Sequence, residues 1–333
     1  MINECQNPKN LYPKLRTIRL FLFVSTFLFL LSYGAYPQIL DIPAIGYGAR
    51  SIALGRAQVA QGNVGAIFAN PAGLARIKNF SLTSLYTNLS EDTPYSMLGG
   101  AFPVNEGYYG CFAVGQLVLA TDDIFVTTSE VGTSPLSASN YSGRVLVLSY
   151  GNKVTNYLDF GVAAKFCAEN FSSLEGASSY GTTFDLGFMV YPEERLKIGL
   201  LVQNFLFKQI TWSTKTHEEA GVNIKMGIDF MVRDDITCLF DYESSRCIHA
   251  GVEWRPTKLV SVRAGVEGIP VSINEMAVNS SFGLGLNFNG FDFDYAYTVD
   301  ALAKTNSSHY FSLSYTLLPL YIEKAPEFFA KSL

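Results

Sequence analysis

Charge is scarce in this sequence. Asp, Glu, Lys and Arg supply 16% of its 333 residues, against roughly a quarter in ordinary soluble domains. Positive charge is scarcest, with 24 basic residues against 29 acidic ones, and this lack of a basic footprint excludes nucleic acid as a partner. Histidine occurs three times and cysteine five times, with no Cys-x-x-Cys pair. Neither a metal site nor a disulfide framework follows; a bridge between Cys238 and Cys247 is the one pairing left open. No Gly-x-Ser-x-Gly elbow occurs, and His217 falls in a loop between strand segments, so no enzyme, catalytic residue, metal or cofactor is read. Asp122-Asp123 reads as a solvated acidic loop rather than a cation site. Long apolar runs are missing as well. The longest, Leu20 to Leu31, has 12 residues, where a membrane-spanning helix needs about 20. What is plentiful is Gly (28), Tyr (19) and Phe (25), a composition that excludes disorder.

The short run reads as an export signal. Lys14, Arg16 and Arg19 precede it, and Ser32 and Gly34 place small residues for cleavage after Gly34. Residues 1–34 are thus expected to be a signal peptide. Their removal takes four basic residues and one acid, so the net charge falls from −5 to −8.

From about residue 80 the apolar residues recur with period two, the mark of strands with one apolar face. Phe282, Leu284, Leu286 and Phe288 alternate with Gly283, Gly285 and Asn287; Asn289-Gly290 then gives a two-residue hairpin turn; Phe291, Phe293, Tyr295 and Tyr297 follow, alternating with Asp292, Asp294 and Ala296. Fourteen such segments are expected: 80–88, 95–103, 107–118, 143–151, 156–169, 181–191, 196–205, 219–232, 236–242, 246–255, 260–267, 281–288, 291–299 and 308–317. Alternation is least clean in the early ones, 143–151 above all. Every second connection is short, and most of the others, led by 119–142, are longer. That asymmetry is the habit of bacterial outer-membrane barrels, whose short turns are periplasmic. An open sheet edge is forbidden in hydrocarbon, so the sheet must close. The expected fold is all-β, a 14-stranded antiparallel transmembrane β-barrel over residues 80–317, with both chain ends and a tail (318–333) in the periplasm. Lys225, Asp229, His249, Glu253, Arg263, Asp292 and Asp294 fall opposite the apolar stripe and are expected to line the lumen, as are Lys197, Gln203, Asp241, Arg255 and Glu267. Phe102, Tyr108, Tyr150, Tyr157, Tyr191, Trp254, Phe288 and Phe291 sit near the short-turn ends, where membrane interfaces collect aromatic rings.

Residues 35–79 do not alternate. They hold two anchors, GARSIALG (48–55) and FANPAGL (68–74), and Asn70-Pro71 reads as a cap and first position of a short helix. About 45 residues of this kind are too few for a separate domain, while fourteen staves enclose more space than their own side chains fill. The segment is therefore expected to fold into the lumen as a hatch, or plug, carried by Asn70, Pro71 and Ala72. Gly110 and Gly115 in the third strand mark a bend, or else simply leave room for the plug.

These anchors, with LKIGLLVQN (196–204), GVEWRP (251–256) and SHYFSLSY (308–315), resemble FadL-like outer-membrane proteins, and more closely their PorV/PorQ-type relatives. Arg56 departs from the pattern, where a Gly is common, and so does the tail beyond the last strand. The resemblance implies a fourteen-stranded barrel with an N-terminal hatch, and a kink in the third strand, at Gly110 and Gly115, that would open a lateral path to the lipid. It also implies two alternative functions. One is passive transport of a hydrophobic small-molecule ligand, of fatty-acid or hydrocarbon type. The other is a PorV-like accessory of type IX secretion that binds a secreted protein. The expected surroundings are outer-membrane lipid, with the barrel-assembly machinery acting in biogenesis.

Overall fold

The computed structural model describes residues 42–89, 93–126, 137–172, 177–206, 209–271, 275–301 and 307–318. The expected signal peptide, residues 35–41 and the tail beyond Leu318 lie outside them. The strands are β1 (Ser81–Asn88), β2 (Pro94–Pro103), β3 (Cys111–Val126), β4 (Ser137–Lys153), β5 (Leu158–Phe171), β6 (Ser178–Glu193), β7 (Leu196–Leu206), β8 (Gln209–Trp212), β9 (His217–Glu219), β10 (Asn223–Arg233), β11 (Ile236–Glu243), β12 (Ile248–Trp254), β13 (Val260–Pro270), β14 (Met276–Phe288), β15 (Phe291–Val299) and β16 (Ser307–Thr316). Neighbours pair antiparallel around the sheet, β7 joining β10, and β16 returns to β1 from Ser81–Thr316 to Tyr86–Phe311. The result is a closed antiparallel barrel of fourteen staves. Strands β8 and β9 are not staves; they form a small hairpin on the far end of β6. No helix among the described residues is long and apolar enough to cross a membrane.

Each of the fourteen expected segments is a stave, but several ends move. The expected 119–142 loop is mostly strand, since β3 runs to Val126 and β4 starts at Ser137. Asp122 and Asp123 form a bulge there, where the β3–β4 register slips between Thr121 and Ile124. The start of the third strand moves the other way. Asn105, Glu106, Gly107 and Gly110 all have positive φ and wind 104–110 into a turn, so pairing begins at Cys111. The expected 206–218 loop holds the β8–β9 hairpin. Cys238 and Cys247 are not bridged; Cys111, Cys167, Cys238 and Cys247 are all free thiols.

Alternation decides what each face meets. Leu98, Phe112, Leu148, Phe240, Val252, Phe282, Leu284, Phe293 and Phe311 all point outward and are exposed. Their sequence neighbours on the same strands are buried or partly buried. A greasy outside over a filled inside is the reverse of a soluble β-sandwich, and suits a lipid solvent. Seven of the eight short-turn aromatics remain outside or at the rim. Tyr191 is the exception: it shares the inward face of β6 with buried Met189, and its ring is partly buried under the guanidinium of Arg76 at 3.5 Å.

Residues 42–79 carry one short helix, α1 (Ala49–Ala53), and 3-10 turns at Ile42–Ile45, Val64–Ile67 and Pro71–Leu74. They bond or pack against inward-facing groups of β2 to β7 and β11 to β16. Those partners stand on all sides of the ring.

Candidate functional site

The bore is built around a main chain. At one level the wall presents glycines where other strand positions carry side chains. A Cβ on Gly161 would land on Pro71, on Gly187 on the Asn70 side chain, on Gly199 on Val59, on Gly265 on Gly55, and on Gly283 on Ala53. This belt lets the backbone of 53–72 lie directly on the backbone of the staves, a close approach that only glycine permits. The belt is the feature that sequence reasoning missed. Its signal was present as Gly at alternating strand positions, but a Gly in a strand is ordinarily read as a bend.

Asn70 fixes the segment at its tightest point. It is fully buried. Its Oδ1 accepts from the Ala72 N–H at 3.1 Å, capping the turn that Pro71 opens, and its Nδ2 donates to the Val59 carbonyl at 2.8 Å and the Phe188 carbonyl of β6 at 3.2 Å. One amide thus ties cap, segment and wall.

The wall of β10–β15 holds the segment with charge. Glu253, 2% exposed, accepts from Arg50 at 2.9 Å and Arg263 at 2.7 Å; Arg263 also reaches Asp294 at 2.6 Å. Arg56 pairs with Glu267. Its φ of 64° is a left-handed conformation, which ordinarily favours glycine. His249 meets the Gly55 carbonyl at 2.8 Å through Nδ1 and Glu243 at 3.0 Å through Nε2, and Lys225 completes that cluster at 2.6 Å from Glu243. Lys197 pairs with Asp229 at 3.1 Å, and Asp241 accepts from the Val59 N–H at 2.9 Å. Burial disfavours the charge on Arg50 and Arg56, and Glu253 and Glu267 outweigh it, so both guanidiniums titrate above their ordinary value. Below this network, toward the short turns, lies a polar cavity of about 520 Å³ lined by Arg50, Gln61, Asp229, Arg255, Asp292 and Asp294 among others. Of the residues that alternation set opposite the apolar stripe, Asp229, His249, Glu253 and Arg263 are buried, and Lys225, Asp292 and Asp294 are partly buried.

The opposite wall holds the segment by packing. Ile67, Phe68 and Leu74 join Tyr95, Met97, Leu117, Val145 and Val147 in one buried apolar cluster. Phe68 stacks on Tyr47 at 5.7 Å, and the Ser149 hydroxyl donates to the Ile67 carbonyl at 2.8 Å. Gly115 belongs here: a Cβ on it would collide with the Phe68 ring. Its pairing with Gly99 and Val147 is unbroken, and Gly110 lies outside the strand, in the turn. The expected kink is therefore not at these glycines; Gly115 makes room for Phe68. Among the described residues no group of three His, Cys, Asp or Glu is placed to hold a metal.

No protein-family model and no curated protein matches the chain. Solved structures do. The toluene transporter TodX of Pseudomonas putida aligns with TM-score 0.62 at 13% identity, over 82% of this chain and 99% of its own. The CymD monoaromatic hydrocarbon channel gives 0.60 at 15%, over 82% and 97%. A Pseudomonas aeruginosa FadL homologue gives 0.53 at 12%, over 81% and 97%. The fold shared with these proteins is the closed outer-membrane type of barrel.

Proposed function

We propose that this protein is an outer-membrane channel for passive entry of hydrophobic small molecules, of fatty-acid or hydrocarbon type. The observation that carries the reading is the divided bore: an apolar lane on the inward face of β2–β4 faces a charged wall across the segment 42–79. Ligand sites are mostly apolar with a few placed polar groups, and the lane has that character. Residues 42–79 act as a hatch. They are held by side-chain hydrogen bonds, ion pairs and packing and not by strand pairing, so their displacement frees the lane without unpairing a stave. The fold likeness to channels named for monoaromatic hydrocarbons and toluene supports the substrate class. Residues 1–34 serve as the export signal, the short turns and both barrel ends face the periplasm, and the barrel-assembly machinery inserts the chain. The closer kinship with PorV/PorQ-type proteins rests on the sequence anchors alone, and no observation favours a secretion accessory.

The test is uptake. A strain lacking the gene is expected to take up radiolabelled toluene and oleate more slowly, with recovery by the intact gene. Unchanged uptake of both overturns the reading.

A further inference from the structure

Above the segment, on the side away from the short turns, the inward faces of β4, β5, β6 and the β8–β9 hairpin form a patch that the glycine belt and the ion pairs do not use. Register places its members on one surface. Tyr141 stands opposite Phe171, Glu169 opposite Ser179, Ser179 opposite Trp212, and Ile210 opposite Glu218. Paired residues project to the same face of a sheet, and diagonal neighbours lie about 7–8 Å apart, so Trp212 and Glu218 face the bore together. The rings make a continuous apolar surface: Tyr141 to Phe171 at 4.8 Å and Phe171 to Trp212 at 6.1 Å.

Two polar atoms in this surface are buried without a partner, the Trp212 Nε1–H donor and the Glu218 Oε2 acceptor. Glu169 nearby differs, because both of its oxygens are engaged, by the Tyr141 hydroxyl at 3.2 Å and the Ser179 hydroxyl at 3.3 Å. Buried polar groups ordinarily find partners. A donor and an acceptor left open together, beside aromatic faces, match one kind of molecule. It is a flat apolar ring bearing a hydroxyl, which accepts from the indole N–H and donates to the carboxylate. Ile42, at the start of the described segment, also reaches this patch, since a Cβ on Gly143 would meet its Cδ1 at 2.5 Å and the Tyr141 hydroxyl at 2.7 Å.

We propose that Trp212 and Glu218, with the rings of Tyr141 and Phe171, form a binding site for hydroxylated monoaromatic compounds, and so set the preferred substrate of the channel. This inference rests on the transport reading and narrows it. A site that bonds a substrate hydroxyl penalises the analogue lacking it, because the protein groups are then left unpaired.

The experiment compares 4-methylphenol with toluene, which differs by the hydroxyl alone, binding to the full-length protein in detergent by equilibrium dialysis. The expected result is tighter binding of 4-methylphenol by about tenfold or more, which is about 1.4 kcal/mol. Trp212→Phe keeps a ring and removes the donor; Glu218→Leu removes the acceptor. Each is expected to cut 4-methylphenol affinity several-fold without a matching loss for toluene, so that the preference between the two compounds disappears. Cold SDS electrophoresis verifies that each variant is folded; a variant that is not is replaced by Trp212→Leu or Glu218→Met. Equal affinity for the two compounds, no binding of either, or equal loss of both in the variants overturns the site. The arms separate the two readings. Toluene uptake without a hydroxyl preference sinks this inference alone; a preference without any uptake sinks the transport reading and leaves the site.

Discussion

The two walls of the bore hold the same inner segment by opposite means. On β10–β15 the contact is a lattice of ion pairs around Glu253, Glu267 and Glu243. On β2–β4 it is packed side chains around Phe68 and Leu117. Charges are specific in geometry but costly to bury, so removing one partner strands the rest. Apolar packing has no partner to strand, and its loss scales with the cavity left behind. The charged wall therefore reads as the fixed side of the bore, and the apolar wall as the side along which a greasy solute can replace protein contacts.

Mutations can break this contrast. Glu253→Met leaves Arg50 and Arg263 short of a counter-charge and is expected to cost about 3–5 kcal/mol, read as a lower temperature of barrel unfolding in cold SDS electrophoresis. Phe68→Ala on the other wall is expected to cost a similar amount, about 3–5 kcal/mol, so size alone does not separate them. Rescue does. Uncharging the whole group at once (R50M, E253M, R263M, D294N) is expected to recover most of the loss, since buried ion pairs replaced by apolar groups are often neutral. Failure to recover would show that these charges do more than hold the segment. Gly265→Val presses a side chain into the Gly55 backbone and is expected to cost about 1–3 kcal/mol, with faster amide exchange confined to 49–60. Asn70→Ala removes a cap worth about 0.5–2 kcal/mol and is expected to expose 68–77 to protease while leaving the staves protected. Smallest of all, oxidation is expected to change nothing: with Cys238 and Cys247 both free, mobility with and without reductant should coincide for the chain lacking residues 1–34, and so lacking Cys5.

The same contrast decides how much was legible in the sequence. Strands β10 to β16 alternate charge against grease, so their faces and the lumen residues could be read directly from Lys225 to Asp294. Strand β4 could not be read so cleanly, because Val145 and Val147 point at the apolar segment while Leu146 and Leu148 point outward. With both faces apolar, period two vanishes. The ends of β3 and β4 were lost for a related reason: Asp122 and Asp123 look like a loop and are a bulge. The ion pairs across the bore were not legible at all, since Arg50 and Glu253 are 203 residues apart and nothing local links them. The aromatic patch was hidden inside what looked like a connecting loop, whose short β8–β9 hairpin has no periodicity to announce it.

The belt of glycines has a consequence for how this chain can vary. It is a mould cast around a main chain, not around side chains. The notches do not read most side chains of the inner segment, which are selected by their own partners elsewhere in the bore. Adding or deleting one residue between Leu54 and Pro71 would slide each peptide unit out of its notch, so the bore enforces the length of this stretch as well as its composition.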